Sequence, residues 1–226
     1  MEPKLDSETP YYDRIHAGRV LAERLGGYQG KNALVLGIPR GGVPVAAEVA
    51  RLLGADLDVI VARKLGAPGQ PELAIGAVTA NGGEFLNNEI LGAVGASPEY
   101  LESARKEQMA EARRRETRFR GDRPMERIQD RVVILVDDGL ATGATMRAAI
   151  RSVRKHRPGR LIVAVPVGSE EAYAALQEDA DEVVCASVPQ HFAAIGYFYQ
   201  NFEPTEDAEV ESIVRGFSKR RGTSAA

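Results

Sequence analysis

The chain has 226 residues, with 29 Lys or Arg against 32 Asp or Glu and a formal net charge of -3. That length suits a single domain whose core needs no disulfide or metal staple, and the near balance of charge leaves no global positive field to draw the protein onto nucleic acid or an anionic membrane. No apolar run approaches the roughly 20 residues that span a bilayer, and residues 1–10 are charged and lack the apolar stretch of an export signal, so no membrane partner and a cytoplasmic location are expected.

In chain order, residues 13–25 read as a helix. Short runs rich in Val, Ile and Leu at 33–38, 57–62, 132–137, 161–167 and 182–186 each have the length of a buried strand. Helical patterns at 43–53, 144–155 and 169–177 separate most of them. This alternation predicts an α/β fold with a doubly wound, mainly parallel five-stranded sheet. The single cysteine, Cys185, lies in the last run, where a small buried hydrophobe is expected rather than a reactive thiol. Ligands of such sheets bind beyond the carboxyl ends of the strands, where loops and helix N-termini converge.

The rhythm breaks between Arg63 and Arg131. A Gly/Pro-rich stretch at 65–71 leads into a hairpin with the turn Asn81-Gly82-Gly83, and a flexible loop is expected over 64–87. A charged helix at 98–120 follows, with Glu102/Lys106 and Glu111/Arg115 at i,i+4 spacing. It reads as a solvated, self-paired helix rather than a nucleic-acid surface, and no DNA partner is expected. Residues 187–204 form a small hood after the last strand, 206–217 a final helix, and 218–226 a disordered end. Residues 1–226 are thus read as one domain.

The apolar run ending at Val136 is followed by Asp137-Asp138 and then by Gly-Leu-Ala-Thr-Gly-Ala-Thr at 139–145, which opens a helix. Adjacent carboxylates at a strand exit repel each other and require a cation or hydroxyl donors. A helix cap would need only one of them. The next residues supply the opposite polarity: small side chains and Gly143 let backbone N–H groups approach an anion, Thr142 and Thr145 add hydroxyls, and the helix N-terminus points at the same spot. Vicinal hydroxyls at one end and a monoester phosphate at the other describe ribose 5-phosphate.

The segment VVILVDDGLATGAT at 132–145 resembles the signature of type I phosphoribosyltransferases, which bind phosphoribosyl pyrophosphate (PRPP). The pattern is most similar to bacterial members whose acceptor is unsettled. The resemblance implies that Asp137 and Asp138 hold the ribose hydroxyls, that both hold Mg²⁺ through water, and that Ala141, Thr142, Gly143, Ala144 and Thr145 hold the 5-phosphate. GIPRGGVP at 37–44 resembles the family's pyrophosphate loop, with Arg40, Gly41 and Gly42 against the leaving group, and Arg63-Lys64 falls where the family places further basic residues. The implied catalytic set is Asp137, Asp138, Arg40 and Lys64, displacing pyrophosphate from ribose C1 by a nitrogen acceptor such as a nucleobase.

Ala141 departs from the 6-oxopurine branch, which places an aspartate there to exchange a proton with the purine. LATGATM looks more like the adenine-using branch, and Glu72 on the expected loop is the candidate for proton handling, its plainer role being a carboxylate in water. Phe192, Tyr197, Phe198, Tyr199 and Phe202 cluster within 188–202; Phe192 or Tyr197 is expected to stack on the acceptor, the others gluing the hood to the sheet. The partners implied are PRPP and a small nitrogen acceptor, with room for a homodimer. The competing function is a non-catalytic PRPP-sensing protein, against which the retention of Arg40, Arg63 and Lys64 weighs.

Overall fold

The computed structural model describes residues 11–121 and 123–224. The charged segment 1–10, from which no export signal was expected, lies outside the described residues. Helix α1 (Arg14–Arg24) begins where the Asp13 carboxylate accepts from the His16 N–H at 2.7 Å. Strand β1 (Leu34–Gly37) is buried throughout, α2 (Gly42–Leu53) ends on Gly54 at φ +64, and β2 (Asp56–Val59) returns parallel to β1. The chain then leaves this sheet. Strands β3 (Ala62–Ala67), β4 (Gln70–Thr79) and β5 (Glu84–Leu86) form a separate antiparallel sheet, followed by α3 (Asn88–Val94) and α4 (Pro98–Arg120). Strand β6 (Val132–Val136), α5 (Ala144–Arg154), β7 (Arg160–Val167), α6 (Glu170–Gln177) and β8 (Glu182–Ser187) rebuild the first sheet, and α7 (Asp207–Ser224) follows the hood.

The main sheet is parallel in the order β2-β1-β6-β7-β8. Both faces are covered, which is why its strands are apolar on both sides. Val35, Ile134, Val136 and Ile162 pack with Leu21 of α1 and Val45 and Val49 of α2; Leu36, Leu135 and Val163 pack on the opposite face with Met146 and Ile150 of α5 and Leu176 of α6. From β1 the chain crosses to one side through α2, and from β6 to the other through α5. The loops after β1 and β6 therefore part in opposite directions and open a crevice at the strand ends. Cys185 is buried on the α5 face, and burial pushes its thiol up to about 12, so it acts as a small hydrophobe.

Several expectations need correcting. The run at 57–62 is two strands, because the chain turns out of the main sheet at Ile60 and Val61. The segment 64–87, expected as a flexible loop containing a hairpin at Asn81-Gly82-Gly83, is paired for most of its length as β3, β4 and β5, with that turn joining β4 to β5. Its buried Leu65, Ile75 and Val78 meet Ile90, Leu91 and Leu101 of α3 and α4, while the hairpin tip at 68–73, Lys64 and Asn81 stand in solvent. Helix α4 is not solvated all round: Ala112 and Phe119 are buried against Val59, Val61 and Val210. Glu102 pairs with Arg105 rather than Lys106, and Glu111 with both Arg114 and Arg115. Helix α7 continues through 218–224, which the sequence suggested was disordered. Among the described residues no helix is long and apolar enough to cross a membrane.

Candidate active site

The β6 strand delivers Asp137 and Asp138 to the crevice. Asp137 Oδ1 accepts the Asp138 N–H at 2.9 Å. Desolvation, reinforced by the neighbouring Asp138 carboxylate, holds the Asp137 carboxyl well above the usual aspartate range. Asp138 Oδ2 accepts from Arg14 Nε at 2.8 Å, and the Asp137 and Asp138 carboxyls lie within side-chain hydrogen-bonding reach of each other. The Tyr199 hydroxyl donates to the Asp138 carbonyl at 2.6 Å, and burial, followed by the Asp138 charge, raises its pKa so that it stays a donor.

The loop 139–143 is pinned at its start. The Leu140 N–H donates to Val167 O at 2.9 Å, the Ser169 N–H to Leu140 O at 2.9 Å, and the Ser169 hydroxyl to Ala141 O at 2.8 Å. Gly143 caps α5 at φ +74, a conformation that disfavours any residue with a Cβ, and no side chain caps the helix. From 141 to 146 no backbone N–H donates to an acceptor among the described residues, and the hydroxyls of Thr142 and Thr145 are likewise uncommitted. A run of uncommitted donors at a helix N-terminus is a cradle for an anion.

The β1–α2 loop meets the acidic pair directly. A Cβ on Gly41 would lie 1.9 Å from Asp138 Oδ2, and one on Gly42 would lie 2.8 Å from Asp137 Cα. Neither glycine has a positive φ; what they provide is space. The Pro39–Arg40 peptide bond is cis. The Arg40 side chain, 42% exposed, extends to the start of α7, 3.8 Å from Glu206 and 3.9 Å from Asp207.

Arg63 and Lys64 are split by the alternation of β3. Lys64 stands opposite Ala77, on the face of the small sheet that packs on Ala144 and Ala148 of α5. Arg63 donates to Gln108 of α4 at 3.1 Å. Glu72 is at the exposed tip of the β3–β4 hairpin.

A model of the phosphoribosyl transferase domain matches residues 11–200. This chain belongs to the phosphoribosyl transferase family. Two Mycobacterium tuberculosis proteins, of strains CDC 1551 and H37Rv and provisionally named phosphoribosyl transferases, are 43% identical over 218 residues, covering 95% of this chain and 49% of each relative. The chain thus spans about half the length of these curated relatives. Among solved structures, the Thermus thermophilus protein TT1426 is 47% identical with a TM-score of 0.79, covering 92% of this chain and 99% of that one. A hypothetical Neisseria gonorrhoeae protein with bound ppGpp, 14% identical with a TM-score of 0.51 over 96% and 98% of the two chains, shares the fold.

Within this chain the hood is tied down by the first described residues. Tyr11 bridges to Tyr199 in parallel, and the Gln200 N–H donates to Tyr11 O at 2.7 Å. Ile195 covers Gly139, where a Cβ would lie 2.6 Å from its side chain. The rings that adjoin the acidic pair are Tyr199 and Phe202, reached through Arg14. Of the two rings expected at the acceptor, Phe192 stacks on Phe198 at 5.6 Å, and Tyr197 is 77% exposed. Sequence reasoning missed Arg14, whose partner lies 124 positions away. The signal that could have marked it is its position: a charge at helical spacing with the buried Ala17, Gly18 and Leu21, on the face of α1 that packs inward.

Proposed function

We propose that the chain transfers the 5-phosphoribosyl group of PRPP to a nitrogen acceptor, a nucleobase, with release of pyrophosphate. The observation that carries this is the juxtaposition of the adjacent pair Asp137-Asp138 with the uncommitted N–H donors of 141–146. One end accepts from vicinal hydroxyls; the other donates to a monoester phosphate. Gly41 and Gly42 bring the β1–α2 loop against the same pair, which supports a pyrophosphate site beside the ribose; Arg40 and Lys64 are its proposed cations, Arg40 exchanging its 3.8 Å contact with Glu206 for the ligand.

The site suits Mg²⁺ held largely by the ligand. Among the described residues no cluster of three or more His, Cys, Asp or Glu could cage a metal alone, yet Asp137 is a desolvated carboxyl whose charged form a nearby cation would favour. Asp137 and Asp138 would meet the ion through water, and the ion would offset charge on the departing pyrophosphate. The residues themselves position and screen: the acidic pair orients the ribose as positive charge develops at C1, and the α5 N-terminus anchors the far end. Ala141 supplies no proton, so an acceptor entering beneath the hood relies on another group; Glu72 is the candidate.

A screen of purines, pyrimidines and other nitrogen bases should reveal one that drives PRPP-dependent pyrophosphate release. PRPP binding without release by any acceptor would replace transfer with a PRPP-sensing role.

A further inference from the structure

Arg14 touches all three parts of the site at once. Its Nε donates to Asp138 Oδ2 at 2.8 Å and its Nη1 to Glu203 O of the hood at 2.7 Å. Its guanidinium lies over the Phe202 ring, 3.9 Å from the centroid, and a Cβ on Gly41 would come within 3.1 Å of Nε. The Arg14 and Asp138 side chains are only 11% and 13% exposed. A pair so withdrawn from water has fixed geometry, unlike a surface ion pair. Tying Oδ2 fixes the Asp138 carboxylate plane and with it the direction in which Oδ1 is presented.

We propose that Arg14 is a positioning residue of the ribose site: it presents Asp138 Oδ1 to a ribose hydroxyl and clamps the hood, through Phe202 and Glu203, over the sugar. This rests on the phosphoribosyl reading above. The guanidinium suits the task because its planar fork serves the carboxylate, the carbonyl and the ring together, which a lysine ammonium cannot do.

The test compares three probes by calorimetric titration: PRPP, ribose 5-phosphate and inorganic pyrophosphate, each with Mg²⁺. Arg14→Gln should weaken PRPP and ribose 5-phosphate about tenfold or more, the loss expected when a charge-assisted hydrogen bond is removed. Pyrophosphate, which brings no ribose hydroxyl to Asp138 and would meet it only through water on the ion, should stay within about threefold, since that is below one such bond. Arg14→Lys, which restores the charge but not the fork, should fall between wild type and Arg14→Gln, and it serves as the measured variant if Arg14→Gln does not fold. A parallel loss for all three probes marks a structural role and overturns the proposal, as does unchanged ribose 5-phosphate affinity in both variants. Wild-type protein that binds neither PRPP nor ribose 5-phosphate overturns the functional reading and, with it, the role of Arg14.

Discussion

Asp58→Ala is expected to destabilise the protein by roughly 3–5 kcal/mol, the cost of leaving one member of a buried ion pair without its partner. Asp58 is 1% exposed near the end of β2. Its Oδ1 accepts from Arg120 Nε at 2.8 Å and the Val59 N–H at 2.7 Å, and its Oδ2 accepts from the Glu126 N–H at 2.9 Å. Arg120, 8% exposed, also donates to Glu116 at 3.0 Å and to the Val59 carbonyl. Removing the carboxylate leaves the guanidinium's charge half-compensated and deprives two backbone donors of this acceptor, where the end of α4 and the return to β6 are fastened to the sheet edge. For a chain of this size that loss should lower Tm by roughly 10 °C. Thermal unfolding of wild type and variant would measure it, and a change below about 1 kcal/mol would show that the network carries little stability.

Gly41→Ala should abolish ligand binding out of proportion to the methyl group it adds. The new Cβ falls 1.9 Å from Asp138 Oδ2 and 2.6 Å from its Cγ, contacts no folded protein accommodates. Asp138 cannot simply retreat, because Arg14 holds its side chain and Tyr199 its carbonyl. The β1–α2 loop must therefore move off the acidic pair, costing about 1–3 kcal/mol of stability as overpacking does, and PRPP affinity should fall by well over tenfold. Gly92→Ala is the control: a Cβ there meets nothing within 4 Å, inside α3, so it should leave both stability and binding close to wild type. Equal behaviour of the two variants would show that the Gly41 contact is not a constraint.

The main sheet was legible because strands buried on both faces read as uninterrupted apolar runs, and β1, β6, β7 and β8 fall within a residue or so of the runs that announced them. Of the small sheet only the β4–β5 turn at Asn81-Gly82-Gly83 was legible. Gly66, Pro68, Gly69 and Pro71 look like loop punctuation, yet Gly66 is where the strands bulge, with the Pro71 carbonyl 2.5 Å from where its Cβ would be. Asp137-Asp138 and the glycine-threonine turn were legible because their chemistry is local: charge, donors and helix end lie within nine residues of sequence. Arg14, Tyr199 and Phe202 were not, since they reach Asp138 only through the fold. The aromatic cluster could be seen in the sequence, but which ring adjoins the acidic pair is set by how the Tyr11–Tyr199 bridge seats the hood.

The central claim is that one ligand spans the acidic pair and the α5 N-terminus, and titrating PRPP with Mg²⁺ into wild type and Thr145→Val tests it most directly. Wild type should bind PRPP and rise in Tm by mass action. Thr145→Val, which removes one hydroxyl from the cradle without touching the core, should keep its fold and lose roughly tenfold in affinity, as expected for a hydrogen bond to a charged phosphate. Absence of any PRPP binding by wild-type protein, or equal affinity in the variant, would contradict the account.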